Sequence, residues 1–174
     1  MRLTATDASF LYLESASGPL HISSVLTIDG EVPFATVLQH FRDRIHLVPR
    51  YRCRLVQTPL SIAHPAWAPD PDFDLANHLH PVRLPAGAKE QDAIDEAIHC
   101  SEQVFDRSRP LWHVWVIEGV PGRTYLMQST HHAMVDGASG VELMTIVFDF
   151  DRKGRNIEPP AEPWAPAPLP GPVA

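Results

Sequence analysis

Trp112-His-Val-Trp-Val-Ile-Glu118, then Gly119-Val-Pro-Gly-Arg123, then Thr124-Tyr-Leu-Met-Gln-Ser-Thr130 lead straight into His131-His132-Ala-Met-Val-Asp136-Gly137. The first and third runs are rich in β-branched and aromatic residues, and the run between them carries two glycines and a proline. This pattern predicts a β-hairpin, with strands over Trp112 to Glu118 and Tyr125 to Thr130 and a turn over Gly119 to Arg123. The paired histidines then fall where a strand has ended and no helix has begun. Loops held by rigid elements are where catalytic side chains concentrate.

Working outward, the segment before the hairpin predicts an amphipathic helix over Lys89 to Val104, with Ile94, Ala97, Ile98 and Val104 on one side. His80 to Leu84 and Arg52 to Val56 read as short strands, separated by a loop that contains Pro65-Ala-Trp67 and Asp70-Pro-Asp-Phe-Asp74. Phe34, Val37, Leu38, Phe41, Ile45 and Val48 recur at spacings of three or four, which predicts a helix over Phe34 to Leu47, ended by Pro49. His21 to Asp29 reads as a strand closed by Gly30. A first helix is expected over Asp7 to Glu14, capped by Thr6 or Asp7. Beyond the histidines, Ser139 to Phe148 predicts a last, mostly apolar helix.

From Glu158 the chain is too rich in proline for helix or sheet ladders, because proline lacks the donor and fixes φ. Residues 1–157 are therefore expected to form one lobe and residues 158–174 a semi-rigid linker or tail. The expected class is α/β (α+β), a two-layer lobe with a mixed sheet.

The 174 residues are 44% hydrophobic, enough for a folded core. The formal net charge of −7 argues against nucleic acid, whose phosphates are bound by basic surface. It leaves a lipid substrate open, because acyl chains are recognised by apolar pockets. No apolar run is long enough for a spanning helix, and the N-terminus is not a secretory signal, so a cytoplasmic protein is expected. Cys53 and Cys100 form no C-x-x-C and fit buried or idle thiols.

Histidine titrates near neutrality and can take up and return a proton, and a positioned general base contributes about 10² to 10⁴ in rate. Asp136-Gly137 suits a tight turn, with glycine free to adopt positive φ. The plainer reading is two polar residues at a strand end, in a chain with ten histidines. His132 and Asp136 stand four apart, as metal ligands on a helix face would, but no other dense ligand cluster supports a metal, and none is expected. Gly137-Ala-Ser139-Gly140 lacks the spacing of a nucleophile elbow, and no Walker or G-x-G-x-x-G loop occurs.

His131-His132-x-x-x-Asp136-Gly137 resembles the HHxxxDG motif shared by wax ester synthase/diacylglycerol acyltransferases, peptide-synthetase condensation domains and other relatives of chloramphenicol acetyltransferase. Phe105 to Gly119, with Pro110-Leu111-Trp112, resembles the PLW segment of the first of these families and the strand after it. Val48 to Leu55, Pro71 to Leu75 and Pro163-Trp164 also resemble its N-terminal lobe. The resemblance implies half of a chloramphenicol acetyltransferase-like two-lobe fold. It implies an O-acyltransferase that uses acyl-CoA as substrate, needs no cofactor, and makes triacylglycerol or wax ester from diacylglycerol or a fatty alcohol. On this resemblance His132 is the general base, His131 supports it, Asp136 is structural, Gly137 keeps the turn clear, and Pro110, Leu111 and Trp112 pack beside the substrate tunnel.

Family members carry a second lobe, so the resemblance further implies a truncated or split half. Such a lobe is expected to pair with a separately encoded C-terminal lobe or with itself, and to touch the inner membrane or lipid droplets peripherally. Two alternatives stand beside this reading: a condensation-type acyltransferase that uses a carrier-protein thioester, and an inactive lobe that binds lipid or a partner.

Overall fold

The computed structural model describes residues 2–15, 17–58, 62–135, 148–149, 151, 153–160 and 164. Its centre is the expected hairpin, β5 (Trp112–Glu118) and β6 (Arg123–His131), antiparallel with Trp112 opposite Thr130 and Ile117 opposite Tyr125. The turn depends on Gly119: at φ 117° a Cβ there would lie 2.8 Å from the Leu84 carbonyl oxygen. Only glycine fits both the conformation and the space.

β1 (His21–Asp29) runs antiparallel along the outer side of β6, from His21 opposite His131 to Asp29 opposite Arg123. β4 (Leu79–Arg83) lies parallel to β5, connected to it through α3 (Glu90–Ser101) in a β-α-β unit. The order β1-β6-β5-β4 makes a four-stranded mixed sheet. A second sheet pairs β2 (Cys53–Val56) with β3 (Ala66–Pro69). α1 (Ala5–Leu13) and α2 (Phe34–Arg44) complete the described elements, and a 3₁₀ turn over Ile45–Leu47 finishes the helix expected to reach Leu47.

Alternation along the strands divides the core. Trp112, Val114, Val116 and Leu126 face Val37 and Phe41 of α2 and Leu11 of α1. Trp115, Ile117, Tyr125 and Met127 face Ala93, Ala97 and Cys100 of α3. The mixed α/β class and the mixed sheet are as expected, with buried side chains packed on both faces of the sheet.

Other local expectations need correction. α1 begins at Ala5 because the Thr4 hydroxyl accepts from the Asp7 N–H at 3.1 Å, two residues before the expected caps. α3 buries Ala93, Ala97 and Cys100, while Ile98 is 54% exposed and Val104, beyond the helix, 50% exposed. Small side chains on the inner face let the helix lie close to Trp115 and Ile117. β3 was expected to be loop, because Ala-Trp-Ala-Pro lacks β-branched residues and sits between prolines; its pairing with β2 holds it extended. The helix expected from Ser139 lies outside the described residues up to 147. Of the proline-rich tail, Trp164 packs on the lobe, with the Arg52 guanidinium 3.8 Å from its ring centroid. Among the described residues no helix is long and apolar enough to cross a membrane.

Candidate functional site

β6 delivers His131 as its last residue, and the chain turns at once into a 3₁₀ turn over His132–Met134. His131 keeps extended geometry (φ −64°, ψ 137°) and caps that turn, its Nδ1 accepting from the Ala133 N–H at 3.0 Å. An imidazole nitrogen that accepts carries no proton, so the neutral ring holds its hydrogen on Nε2. That nitrogen faces Glu14 Oε1 at 3.3 Å, a close electrostatic contact that lacks the alignment of a hydrogen bond. The ring is wholly buried, and burial pushes its pKa down to about 4 against the opposing pull of the Glu14 charge. At neutral pH His131 is an uncharged residue with Nδ1 spent on the turn and Nε2 held against Glu14. It shapes the turn and has no accessible edge from which to act as a base.

Glu14 sits at the C-terminal end of α1 with its side chain 3% exposed. Burial opposes its ionisation, but the Arg107 guanidinium (Nη2 to Oε2, 2.8 Å), the Leu20 N–H (3.2 Å to Oε1) and His131 together hold its pKa below the ordinary carboxylate range. His21 Nε2 approaches the same Oε1 at 3.4 Å, while its ring stacks on Phe105 at 4.0 Å. Burial lowers the His21 pKa, and the Glu14 charge works the other way.

His132 differs from its neighbour in each respect. Its backbone N–H donates to the Leu20 carbonyl at 2.9 Å, and its ring stacks on Phe10 of α1, centroids 3.9 Å apart and planes 17° from parallel. The residue is half-buried; its ring Nδ1 is buried and has no hydrogen-bond partner among the described residues. The second histidine is therefore held by its backbone and by one flat contact, and it is not sealed off as His131 is.

Asp136 and Gly137 lie outside the described residues. Pro110, Leu111 and Trp112 are buried, the latter two completely. Trp112 donates its Nε1–H to the Tyr51 carbonyl at 2.8 Å and stacks on His78 at 4.6 Å. On this chain the segment therefore belongs to the core and lines no accessible surface. The Leu111 carbonyl reaches the site itself, accepting the His131 N–H at 2.9 Å. Among the described residues no group of three or more His, Cys, Asp or Glu side chains is placed to hold a metal ion.

Phe10, Glu14, His21 and Arg107 escape a reading of the sequence because they lie far from the histidine pair along the chain. His21, the first residue of β1, stands opposite His131 only through the register of the folded sheet.

The wax ester synthase/diacylglycerol acyltransferase catalytic domain family model matches residues 3–171. A Mycobacterium tuberculosis protein named as a diacylglycerol O-acyltransferase is 36% identical over 177 residues, 97% of this chain and 37% of the relative. A second protein of that organism, also named a diacylglycerol O-acyltransferase, is 29% identical, with 98% and 64% covered. The solved wax ester synthase/diacylglycerol acyltransferase from Marinobacter aquaeolei VT8 superposes with a TM-score of 0.74 at 26% identity, over 92% of this chain and 41% of that one. The starter condensation domain of rhizomide synthetase, at 19% identity and a TM-score of 0.65, shares the fold over 84% of this chain and 37% of that one. The chain thus spans between about a third and two thirds of the length of these relatives. With a family match that runs across nearly all of its residues, the chain belongs to the wax ester synthase/diacylglycerol acyltransferase catalytic domain family.

Proposed function

We propose that this chain is the histidine-bearing part of an O-acyltransferase that moves a long-chain acyl group from acyl-CoA to diacylglycerol or a fatty alcohol, with His132 as general base. The observation that carries the reading is the contrast within the pair. His131 is wholly buried and neutral, its Nδ1 spent on the Ala133 N–H, whereas His132 is only half-buried. In the reaction, the His132 ring accepts the proton of the acceptor hydroxyl as its oxygen attacks the thioester carbonyl carbon. The tetrahedral intermediate collapses with cleavage of the C–S bond, and the imidazolium returns the proton to the departing CoA thiolate. Ester and free CoA thiol result, and no acyl-enzyme forms. The structural role of Asp136 and the turn role of Gly137 rest on the HHxxxDG resemblance alone.

The test is acyl transfer from radiolabelled palmitoyl-CoA to diacylglycerol and to hexadecanol, measured on this chain alone and together with a C-terminal lobe from a longer relative. His132→Ala is expected to lower turnover about 10²-fold or more. His131→Ala is expected to keep measurable turnover. Unchanged turnover in His132→Ala removes that residue from the mechanism, and equal, complete loss in both variants overturns the division of roles.

Pairing with a second lobe or with another copy belongs to the same proposal. Tyr12 and Leu13 of α1 and Ile22 and Val25 of β1 are exposed apolar side chains on the two elements that flank the histidines. Among the described strands β1 pairs only with β6, so its other edge is open. An open strand edge beside exposed apolar side chains favours association. Peripheral contact with the inner membrane or lipid droplets suits a lipid acceptor. Size-exclusion chromatography is expected to show a dimer or larger species of the chain alone, or a 1:1 complex when the second lobe is added. A compact monomer in both runs contradicts this.

A further inference from the structure

Glu14 reaches the histidine pair by three routes, two of them through its carboxylate. Through Oε1 it faces His131 Nε2 at 3.3 Å, on the ring whose Nδ1 accepts from the Ala133 N–H at 3.0 Å. Through the same oxygen it accepts the Leu20 N–H at 3.2 Å, and the carbonyl of Leu20 in turn accepts the His132 N–H at 2.9 Å. Through the backbone, the Glu14 N–H donates to the Phe10 carbonyl at 3.1 Å, closing the last turn of the helix whose Phe10 ring stacks on His132. The carboxylate is itself fixed, because Arg107 Nη2 bonds both Glu14 Oε2 at 2.8 Å and the Leu11 carbonyl at 2.7 Å. One buried charge thus connects α1, the start of β1 and the end of β6.

The chemistry of this arrangement is directional. A carboxylate only accepts, so an imidazole edge turned towards it is stable only when that edge carries hydrogen. The nitrogen on the other side of the ring must then be the acceptor. Were His131 to hold its proton on Nδ1, two N–H groups would meet at Ala133 and a bare nitrogen would face the carboxylate, two repulsive contacts in a buried place. The tautomer of His131 and the fold of the turn that presents His132 are therefore set by the same group.

We infer that Glu14 is a positioning residue: it locks His131 in the Nε2–H tautomer and, through Leu20, anchors the backbone of His132. This rests on the proposed reading of His132 as the base, but its geometry can be tested without substrate. The test uses the whole 174-residue chain with ¹⁵N-labelled histidine and backbone, observed by long-range ¹H–¹⁵N NMR at pH 7. In the wild type, His131 is expected to show a protonated Nε2 and a bare Nδ1, with a coupling across the hydrogen bond from the Ala133 N–H to Nδ1. Glu14→Gln keeps an acceptor and is expected to keep this pattern. Glu14→Ala is expected to give a mixture of tautomers and to speed exchange of the His132 amide about tenfold, the loss of roughly one hydrogen bond's protection.

If Glu14→Ala does not fold, Arg107→Met decides the matter. That side chain is 41% exposed, and its loss frees the carboxylate without deleting it, so the same mixture and faster exchange are expected. A wild-type His131 protonated on Nδ1 overturns the inference, and so do His131 and His132 signals that stay unchanged in folded Glu14→Ala or, where that variant does not fold, in Arg107→Met. None of these readings depends on turnover. Loss of the acyl-transfer proposal would leave them standing, and the reverse holds as well.

Discussion

Lowering the pH from 7 to 5 is expected to remove roughly 5 kcal/mol of folding stability from this chain through three imidazoles. His78 lies between Phe73 and Trp112, ring centroids 5.4 and 4.6 Å away, and burial pushes its pKa down to about 4. His131, wholly buried, also falls to about 4. His113 drops to about 3, first through burial and then through its histidine neighbours, with His80 Nε2 only 2.8 Å from its Nδ1. Each ring is harder to protonate in the folded chain than in the unfolded one, where the pKa is near 6.5. The unfolded chain therefore takes up protons first as the pH falls through 6.5, and stability declines until the folded values of 3 to 4 are reached.

At pH 5 the effect is about 2 kcal/mol for a fully buried ring, and less for half-buried His113. Carboxylates with lowered pKa, Glu14 and Asp106 among them, add their own loss only further down, below their unfolded values near 4. Urea unfolding followed by tryptophan fluorescence at pH 7 and pH 5 checks the expectation. An unfolding free energy equal at the two pH values contradicts the assignment of neutral, buried rings.

Those rings also mark the limit of what the sequence discloses. The hairpin was legible because alternation, β-branching and the Gly-Val-Pro-Gly turn agree with one another over Trp112 to Thr130. The place of the histidine pair followed from the hairpin. α3 was legible as a helix but not in its orientation, since the bulky residues on its surface suggested one buried face and the small ones take another. β3 was hidden because Ala66 to Pro69 gains its strand character from β2 alone. The polar support of the site was hidden for a deeper reason. Glu14, Leu20, Arg107 and His131 meet only after β1 has paired with β6 and α1 has folded against the turn, and no local period records such a meeting. The HHxxxDG resemblance pointed to the two histidines, and geometry was needed to tell them apart.

Trp112→Ala is expected to cost about 5 kcal/mol, enough to unfold a domain of ordinary stability or leave it marginal. The ring is fully buried, T-shaped against Tyr51 at 4.8 Å and stacked between His78 and Phe41 at 4.6 and 6.3 Å. Its removal leaves a cavity at the centre of one core, at roughly 3 to 5 kcal/mol for such a truncation. It also leaves the buried Tyr51 carbonyl without its indole donor, about 1 kcal/mol more. Trp112→Phe separates the two effects, since it keeps most of the packing and loses only the hydrogen bond and part of the volume; about 2 kcal/mol is expected. In thermal unfolding the alanine variant should melt about 10 to 20 °C below the wild type. The damage should also reach the site, because Leu111, the residue before the tryptophan, holds the His131 N–H. Faster amide exchange at His131 in Trp112→Phe, below its melting point, would trace that path. An alanine variant as stable as the wild type would mean that Trp112 is not the core residue described above.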